Sequence, residues 1–394
     1  MNTNNQHILL VLHDVPYPPR GGGRVDMWGR IQALRRLGHS IDVAIAAHRP
    51  LSDECKAALR NFCDHIWVVP RRPFWQGIWK TTPFQVFARS SLADLKFLSA
   101  YDLVLLEAES VGGILRNPTL HYKLCALRTH NIEADYFLER SKVQGSSLLT
   151  KTYDRLESRR YKSYSITIMH KCDAIWWVSL DEMSSTCKNT PELTDKSSWL
   201  PHFYDPLAMH VYPYSDGQNV LFVGALSSPQ NIEAIAWYME YIHEGMKSVP
   251  GYRLVIAGGT DGRTLPEKLI RIKGDEACQV LTNVPDLRSL YRSCRVFINP
   301  VQHGAGINSK TVHAICDGLP IVTTTPGYRG TGLEDRKHVL AADSPESFVH
   351  AIMALLNSHE HSAQLVASAQ EYLLRNYNHY AVLEKLIHKI LPQK

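Results

Sequence analysis

The segment Arg295 to Val322 carries the densest chemistry in this 394-residue chain. An apolar run ends at Asn299-Pro300, a turn containing His303, Gly304, Ala305, Gly306 and Ile307 follows, and a helical pattern starts near Asn308. Strand, glycine turn and helix in that order leave unpaired backbone N–H groups and the positive end of a helix dipole at the turn, which is the chemistry of an anion site. Gly304 and Gly306 let the backbone approach a phosphate where a β-carbon would clash. Lys310 falls in the helix's first turn, where a cation opposes the dipole by roughly 0.3–1 kcal/mol unless an anion lies between them. A bound diphosphate removes that conflict; a side chain curling into water is the alternative. His313, three residues on, shares its helical face. It is placed either to reach a ribose hydroxyl or to sit as a surface histidine.

Other chemistries find less support. Eight cysteines form no Cys-x-x-Cys pair, as expected of reduced thiols in a cytosol. Nineteen histidines never take zinc spacing, so a structural metal is not expected. The longest apolar runs fall far short of the roughly 20 residues that cross a bilayer, and the polar start Met1 to His7 lacks a secretory pattern. The expected compartment is therefore the cytoplasm. The net charge of +5 is uneven: residues 1–200 hold 26 Lys and Arg against 20 Asp and Glu, and the remainder 17 against 18. A basic first half suits an anionic partner, such as a membrane surface or a phosphate-bearing acceptor, unless it is a plain surface excess. The cations do not alternate with aromatics as in a base-stacking module, which points away from nucleic acid.

The elements that must position these residues read as α/β throughout. Ile8 to His13, the turn Pro16 to Gly23, a helical pattern over Val25 to Leu37 and a buried run Ile41 to Ala46 form a βαβ opening with a parallel sheet. Further strands are expected at 66–69, 103–107, 124–128 and 174–178, and an amphipathic helix over 147–171. A second rhythm begins at Val220, with helices over 231–244, 266–273, 287–292 and 308–317 between strands at 253–257, 280–281, 296–299 and 321–324. Helical stretches over 345–357 and 361–391 close the chain. The domains are expected at 1–200 and 219–375, with a Pro/Gly-interrupted linker at 201–218 and a final helix, 376–394, returning to the first domain. Ligands of open parallel sheets sit at the carboxyl ends of strands, so two such domains are expected to face a central cleft.

The C-terminal half resembles the retaining glycosyltransferases of family 4. The residues that carry the likeness are Val220-Leu-Phe-Val-Gly224 with Asn231, Leu254-Val-Ile-Ala-Gly-Gly259, Val284-Pro-Asp-Leu-Arg-Ser-Leu-Tyr291, the turn at 303–310, Gly318-Leu-Pro-Ile-Val322 and Thr323-Thr-Thr-Pro-Gly327. In the first half, Gly21-Gly22-Gly23 and Leu37-Gly-His39 are similar to the family's acceptor-side start. Arg128-Thr-His-Asn-Ile-Glu-Ala134 resembles the segment with its active-site histidine, which matches His130.

The resemblance implies a GT-B fold of two Rossmann-like domains and a nucleotide-diphosphate sugar as donor. It implies transfer with retention to a carbohydrate or lipid-linked acceptor, in cell-surface polysaccharide synthesis. Donor contacts are implied for Gly224, Gly258, Val284, His303 to Asn308, Lys310 and His313. Acceptor-side contacts are implied for Gly21, Gly22, Gly23 and Glu109, and catalytic roles for His130 and Lys310. At a strand's carboxyl end, His130 is able to bond the sugar or move a proton, unless it is a structural histidine. Glu133 is read as a carboxylate at a helix N-terminus. Departures are plain: His303 and His313 stand where the family has two glutamates, and no Arg-Lys pair follows Gly224. Lys310 is left as the main cation for the diphosphate. No Asp-x-Asp occurs, so metal independence is expected and no cofactor is implied. A nucleotide-sugar epimerase or a non-catalytic nucleotide-sugar-binding relative remains an alternative. Arg71 to Lys80, with two tryptophans, and the cations Arg155, Arg159 and Arg160 suit a lipid headgroup region or a packed surface.

Overall fold

The computed structural model describes residues 5–19, 21–77, 79–142, 147–204, 209–212, 215–260, 262–303 and 306–391. The chain divides into two units, Met1–Tyr204 with Tyr377–Lys394, and Asp205–Asn376.

In the N-terminal unit the order is β1 (His7–Leu12), α1 (Gly22–Arg36), β2 (Ser40–Ala47), α2 (Asp53–Arg60), β3 (His65–Pro70), α3 (Phe84–Ala88), β4 (Tyr101–Leu106), β5 (Tyr122–Thr129), α4 (Glu133–Lys142), α5 (Leu148–Lys171), β6 (Ala174–Trp177), α6 (Leu180–Asn189) and β7 (Ser197–Trp199). The sheet is parallel, ordered β3-β2-β1-β4-β5-β6-β7, so strand order reverses between β1 and β4. Successive side chains of a strand point to opposite faces. Ile8, Leu10 and Leu12 accordingly join one core with Ile31 and Leu34 of α1, while Leu9 and Val11 join a second with Val104 and Leu127. Both faces are covered, as continuous apolar strands require.

The C-terminal unit runs β8 (Gln218–Val223), α7 (Pro229–Tyr238), α8 (Glu244–Met246), β9 (Tyr252–Gly258), α9 (Glu267–Ile272), β10 (Cys278–Thr282), α10 (Arg288–Ser293), β11 (Val296–Asn299), α11 (Ser309–Cys316), β12 (Ile321–Thr323), α12 (Thr325–Tyr328), β13 (Leu340–Ala341), α13 (Pro345–Asn357) and α14 (His359–Asn376). Its parallel sheet is ordered β10-β9-β8-β11-β12-β13, reversing between β8 and β11. One core gathers Phe222, Ile256 and Ile298 from the strands with Ile235 and Phe348 from the helices.

Three differences from the sequence reading have physical causes. The helical stretch expected over 361–391 is two helices, because Asn378 accepts a bond from the Ala381 N–H and caps a new one, α15 (His379–Ile390). Its Leu383, Leu386 and Ile387 enter the same core as Ile31 and Leu34 of α1, in the N-terminal unit. The helix expected over 231–244 starts at Pro229 and passes through a π turn, Met239–His243, between α7 and α8. The inner face of α5 is not an apolar stripe. It buries Asp154, bonded to Arg140, and Glu157, which accepts from Arg160 at 2.9 Å and from the Phe84 N–H at 2.7 Å.

Candidate functional site

In the C-terminal unit the candidate residues collect at the carboxyl ends of β8, β9 and β11, beside the reversal of strand order where open α/β sheets bind ligands. Gly224 follows β8 and Gly258 ends β9, and a β-carbon at Gly258 would lie 1.8 Å from the Gly224 carbonyl oxygen. The two strand ends approach so closely that only glycine fits. Val284 is half-buried in the loop after β10, behind Asn283, whose side chain accepts from the Thr260 N–H at 3.1 Å.

Beyond β11, Gly306 takes a positive φ of 72° and Asn308 precedes α11. The Asn308 side chain does not cap that helix: its Nδ2 donates to the Pro326 carbonyl at 3.0 Å. The first turn thus has no side-chain cap, and its N–H groups retain the character of an anion site. Thr311 instead locks the helix to the sheet, accepting from Asn299 at 3.0 Å and donating to the Gly327 carbonyl at 2.7 Å.

Lys310 is the cation of this site. Its ammonium donates to Asn231 Oδ1 at 2.5 Å and stands 5.0 Å from the centre of the Phe222 ring. Asn231, in the first turn of α7, donates in turn to the Ala225 carbonyl at 2.9 Å, which fixes its oxygen toward the lysine. No carboxylate pairs with Lys310 among the described residues. Burial alone pulls its ammonium down to about 7. A bound anion reverses that effect.

His303 is exposed, with its carbonyl accepting from Gln230 at 2.5 Å, and His313 is half-buried one turn beyond Lys310. Ile307 is half-buried. Gly304 and Ala305 lie outside the described residues.

The N-terminal unit has a second constellation at its own strand reversal. His13 follows β1, Glu107 follows β4 and His130 follows β5, three adjacent carboxyl ends. Beneath them lies a fully buried ion network. Arg30 donates to Glu107 Oε1 at 2.5 Å and to Asp26, and Arg128 donates to Asp26 at 3.1 Å. The Asp26 carboxylate also accepts from the Phe203 N–H at 2.6 Å. Burial pushes the Glu107 carboxyl up, but Arg30 and His130 outweigh it and leave it at about 2. Two fixed anions therefore face two fixed cations.

His130 stands over this network, with Nε2 at 3.6 Å from Glu107 Oε2 and Nδ1 at 3.9 Å from Asp26 Oδ2. His13 lies edge-on at 5.0 Å between ring centres. Its Nδ1 is 2.8 Å from the Glu107 carbonyl, which only accepts, so Nδ1 carries the proton and Nε2 is an open acceptor. Burial, with His130 and Arg89 nearby, holds His13 neutral down to about 3. The arrangement supplies a neutral imidazole beside a carboxylate, suited to accepting a hydrogen bond from a sugar hydroxyl. Asp26, Glu107 and His130 also place ligand atoms within 4.8 Å of one another. A cation there would have to displace two arginines.

The glycine segment at the start of α1 adjoins His13: a β-carbon at Gly23 would stand 3.7 Å from His13 Nε2. Gly21 is the N-cap, with φ 87°, and Gly22 opens the helix. Glu109 is fully buried, with Oε2 accepting from Ser165 at 2.7 Å and Oε1 unpaired. Burial and the neighbouring Glu133 push it up to about 8.

Asn231 as the partner of Lys310, and Asp26, Arg30, Glu107 and His13 around His130, were absent from the candidates read from the sequence. The Asp26–Arg30 spacing of one helical turn was the available signal.

Comparisons with known proteins agree with this layout. Residues 217–358 match the family described as glycosyl transferases group 1. An uncharacterized 44.6 kDa protein in the cps region of Klebsiella pneumoniae is 29% identical over 392 residues, covering 96% of this chain and 98% of its own. Among solved structures, sucrose-phosphate synthase of Thermosynechococcus elongatus is similar with a TM-score of 0.69 at 16% identity, over 98% of this chain and 99% of that one. Anabaena HepE in complex with UDP and glucose is similar with a TM-score of 0.63 at 12% identity, over 99% and 100%. TarM is similar with a TM-score of 0.69 at 10% identity, over 98% and 99%.

Proposed function

We propose that this chain, which has the GT-B fold and whose residues 217–358 match the family described as glycosyl transferases group 1, moves a sugar from a nucleoside-diphosphate donor to a carbohydrate or lipid-linked acceptor, with retention. The observation that carries this reading is Lys310, a half-buried cation in the first turn of α11 whose one side-chain hydrogen-bond partner among the described residues is the neutral Asn231 amide. In this reading the diphosphate lies between Lys310 and the N–H groups of α11. Both stabilise the charge that builds as the nucleoside diphosphate leaves. Anabaena HepE, solved with UDP-glucose, supports a nucleotide sugar as donor. The Klebsiella pneumoniae relative, named for a cps region, supports a place in cell-surface polysaccharide synthesis.

Transfer proceeds without a divalent cation, because Lys310 and the helix dipole supply the positive charge. Gly224, Gly258, Val284, His303 to Asn308 and His313 line the donor; Gly21 to Gly23 and Glu109 serve the acceptor side. His130, whose Nε2 stands 3.6 Å from Glu107, binds the sugar or relays a proton. Exposed Trp75, Trp79, Leu148 and Leu149, close in sequence to Lys80, Lys151 and Arg155, suit a peripheral seat on the inner face of the membrane.

Substituting Lys310→Ala should weaken nucleoside diphosphate binding roughly tenfold to a hundredfold, since a hydrogen bond to a charged group contributes about 1.5–3 kcal/mol. Isothermal calorimetry measures it. Unchanged affinity removes the phosphate site and the reading with it.

A further inference from the structure

Three guanidinium groups converge at the carboxyl end of β1, outside the ion network beneath His130. Arg24 of α1 reaches Asp14 Oδ2 through Nε at 3.0 Å and Nη2 at 2.9 Å. Arg71, just past β3, donates through Nη2 to Asp14 Oδ1 at 3.2 Å and to the His13 carbonyl at 2.7 Å. Arg89, just past α3, donates through Nε to that same carbonyl at 2.8 Å and through Nη1 to the Gln85 carbonyl and side chain.

The charges do not balance. The one carboxylate that pairs with these three cations among the described residues is Asp14. Glu133 is in electrostatic contact with Arg89, but burial holds its carboxyl up at about 7, so it is only partly ionised at neutral pH. Arg89 is 6% exposed and makes no bond to a carboxylate. Burial, and then Arg71, lower it to about 10. Crowded, desolvated cations are costly without an anion to complete them.

The position of this surplus bears on the reaction. The carbonyl shared by Arg71 and Arg89 belongs to His13, whose ring meets His130 at 5.0 Å. Planar guanidinium forks match phosphate oxygens in geometry as well as charge. We infer that the acceptor carries a phosphoryl group, and that Arg24, Arg71 and Arg89 hold it so that its hydroxyl lies beside His13 and His130. The acceptor role rests on the transfer reading above; the phosphoryl site itself does not. The phosphoryl group belongs either to a soluble sugar phosphate or to a lipid phosphate.

The test titrates the full chain, as wild type, Lys310→Ala, Arg24→Gln and Arg71→Gln, with glucose 1-phosphate and with glucose, following thermal unfolding. A parallel arm measures sedimentation with phosphatidylcholine vesicles with and without phosphatidic acid. The Arg24 side chain is 42% exposed, so its variant is expected to fold. Protection by glucose 1-phosphate and not glucose, kept in Lys310→Ala and weakened at least about tenfold in Arg24→Gln, supports the inference with a soluble source. Binding only to vesicles with phosphatidic acid, lost in Arg24→Gln, supports it with a lipid source. No response in either arm, a response that both arginine variants keep, or one lost only in Lys310→Ala overturns it. Failure of the donor reading is seen separately, as nucleoside diphosphate affinity that Lys310→Ala leaves unchanged.

Discussion

Lys310 has an amide oxygen and a phenyl ring for neighbours, and burial brings its ammonium to about 7. An anion that binds the charged form raises that value and draws in a proton. Nucleoside diphosphate binding should therefore weaken as pH rises through about 7 toward 9, with proton uptake greatest on the alkaline side of 7. Calorimetry in two buffers of different ionisation enthalpy reads the protons directly. Affinity that is flat across this window, with no uptake, would show that the lysine's charge does not take part. Glu107 follows the opposite sign in stability: its folded value of about 2 lies below its ordinary 4.5, so its contribution is full above 4.5 and fades as pH falls toward 2. These values arise from contacts between residues far apart in the chain, such as Arg30 with Glu107. The types of His130 and Lys310 could be read in the sequence; the residues that surround them could not.

At the scale of elements, the donor site depends on how closely strands end. With the Gly224 carbonyl 1.8 Å from where a Gly258 β-carbon would stand, Gly258→Ala forces β8 and β9 apart at their carboxyl ends. Overpacking of this kind costs about 1–3 kcal/mol, and a backbone obstacle belongs at the upper end. Chemical denaturation of this variant should show the loss, together with weaker nucleotide protection; wild-type stability would sink the close-approach argument. Strands and helices of this half were legible because buried parallel strands read as apolar runs between glycine and proline signals. The π turn at Met239–His243 and the restart at Asn378 were not, since helical periodicity continues across both. The inner face of α5 misled for a different reason: Asp154 and Glu157 look like solvent residues until Arg140 and Arg160 pair with them.

For the whole molecule, the feature that matters is the path of the chain. It leaves the N-terminal unit near Tyr204 and returns at Tyr377, so α15 completes a core begun by α1. Truncating Leu383→Ala, fully buried there, should cost about 2–5 kcal/mol. Hydrogen exchange should locate that loss in β1, β2 and α1 while the strands of the C-terminal unit keep their protection; equal loosening of both units would contradict two separate cores.

That path also sets an order of events during synthesis. A ribosome releases the inserted unit, Asp205–Asn376, with all its strands and core residues before it releases Leu383. The unit that starts the chain is thus the one that must wait. Until the last helix emerges, the apolar side of α1 has a gap where Leu383, Leu386 and Ile387 belong, and a nascent chain stalled there exposes it to chaperones and proteases.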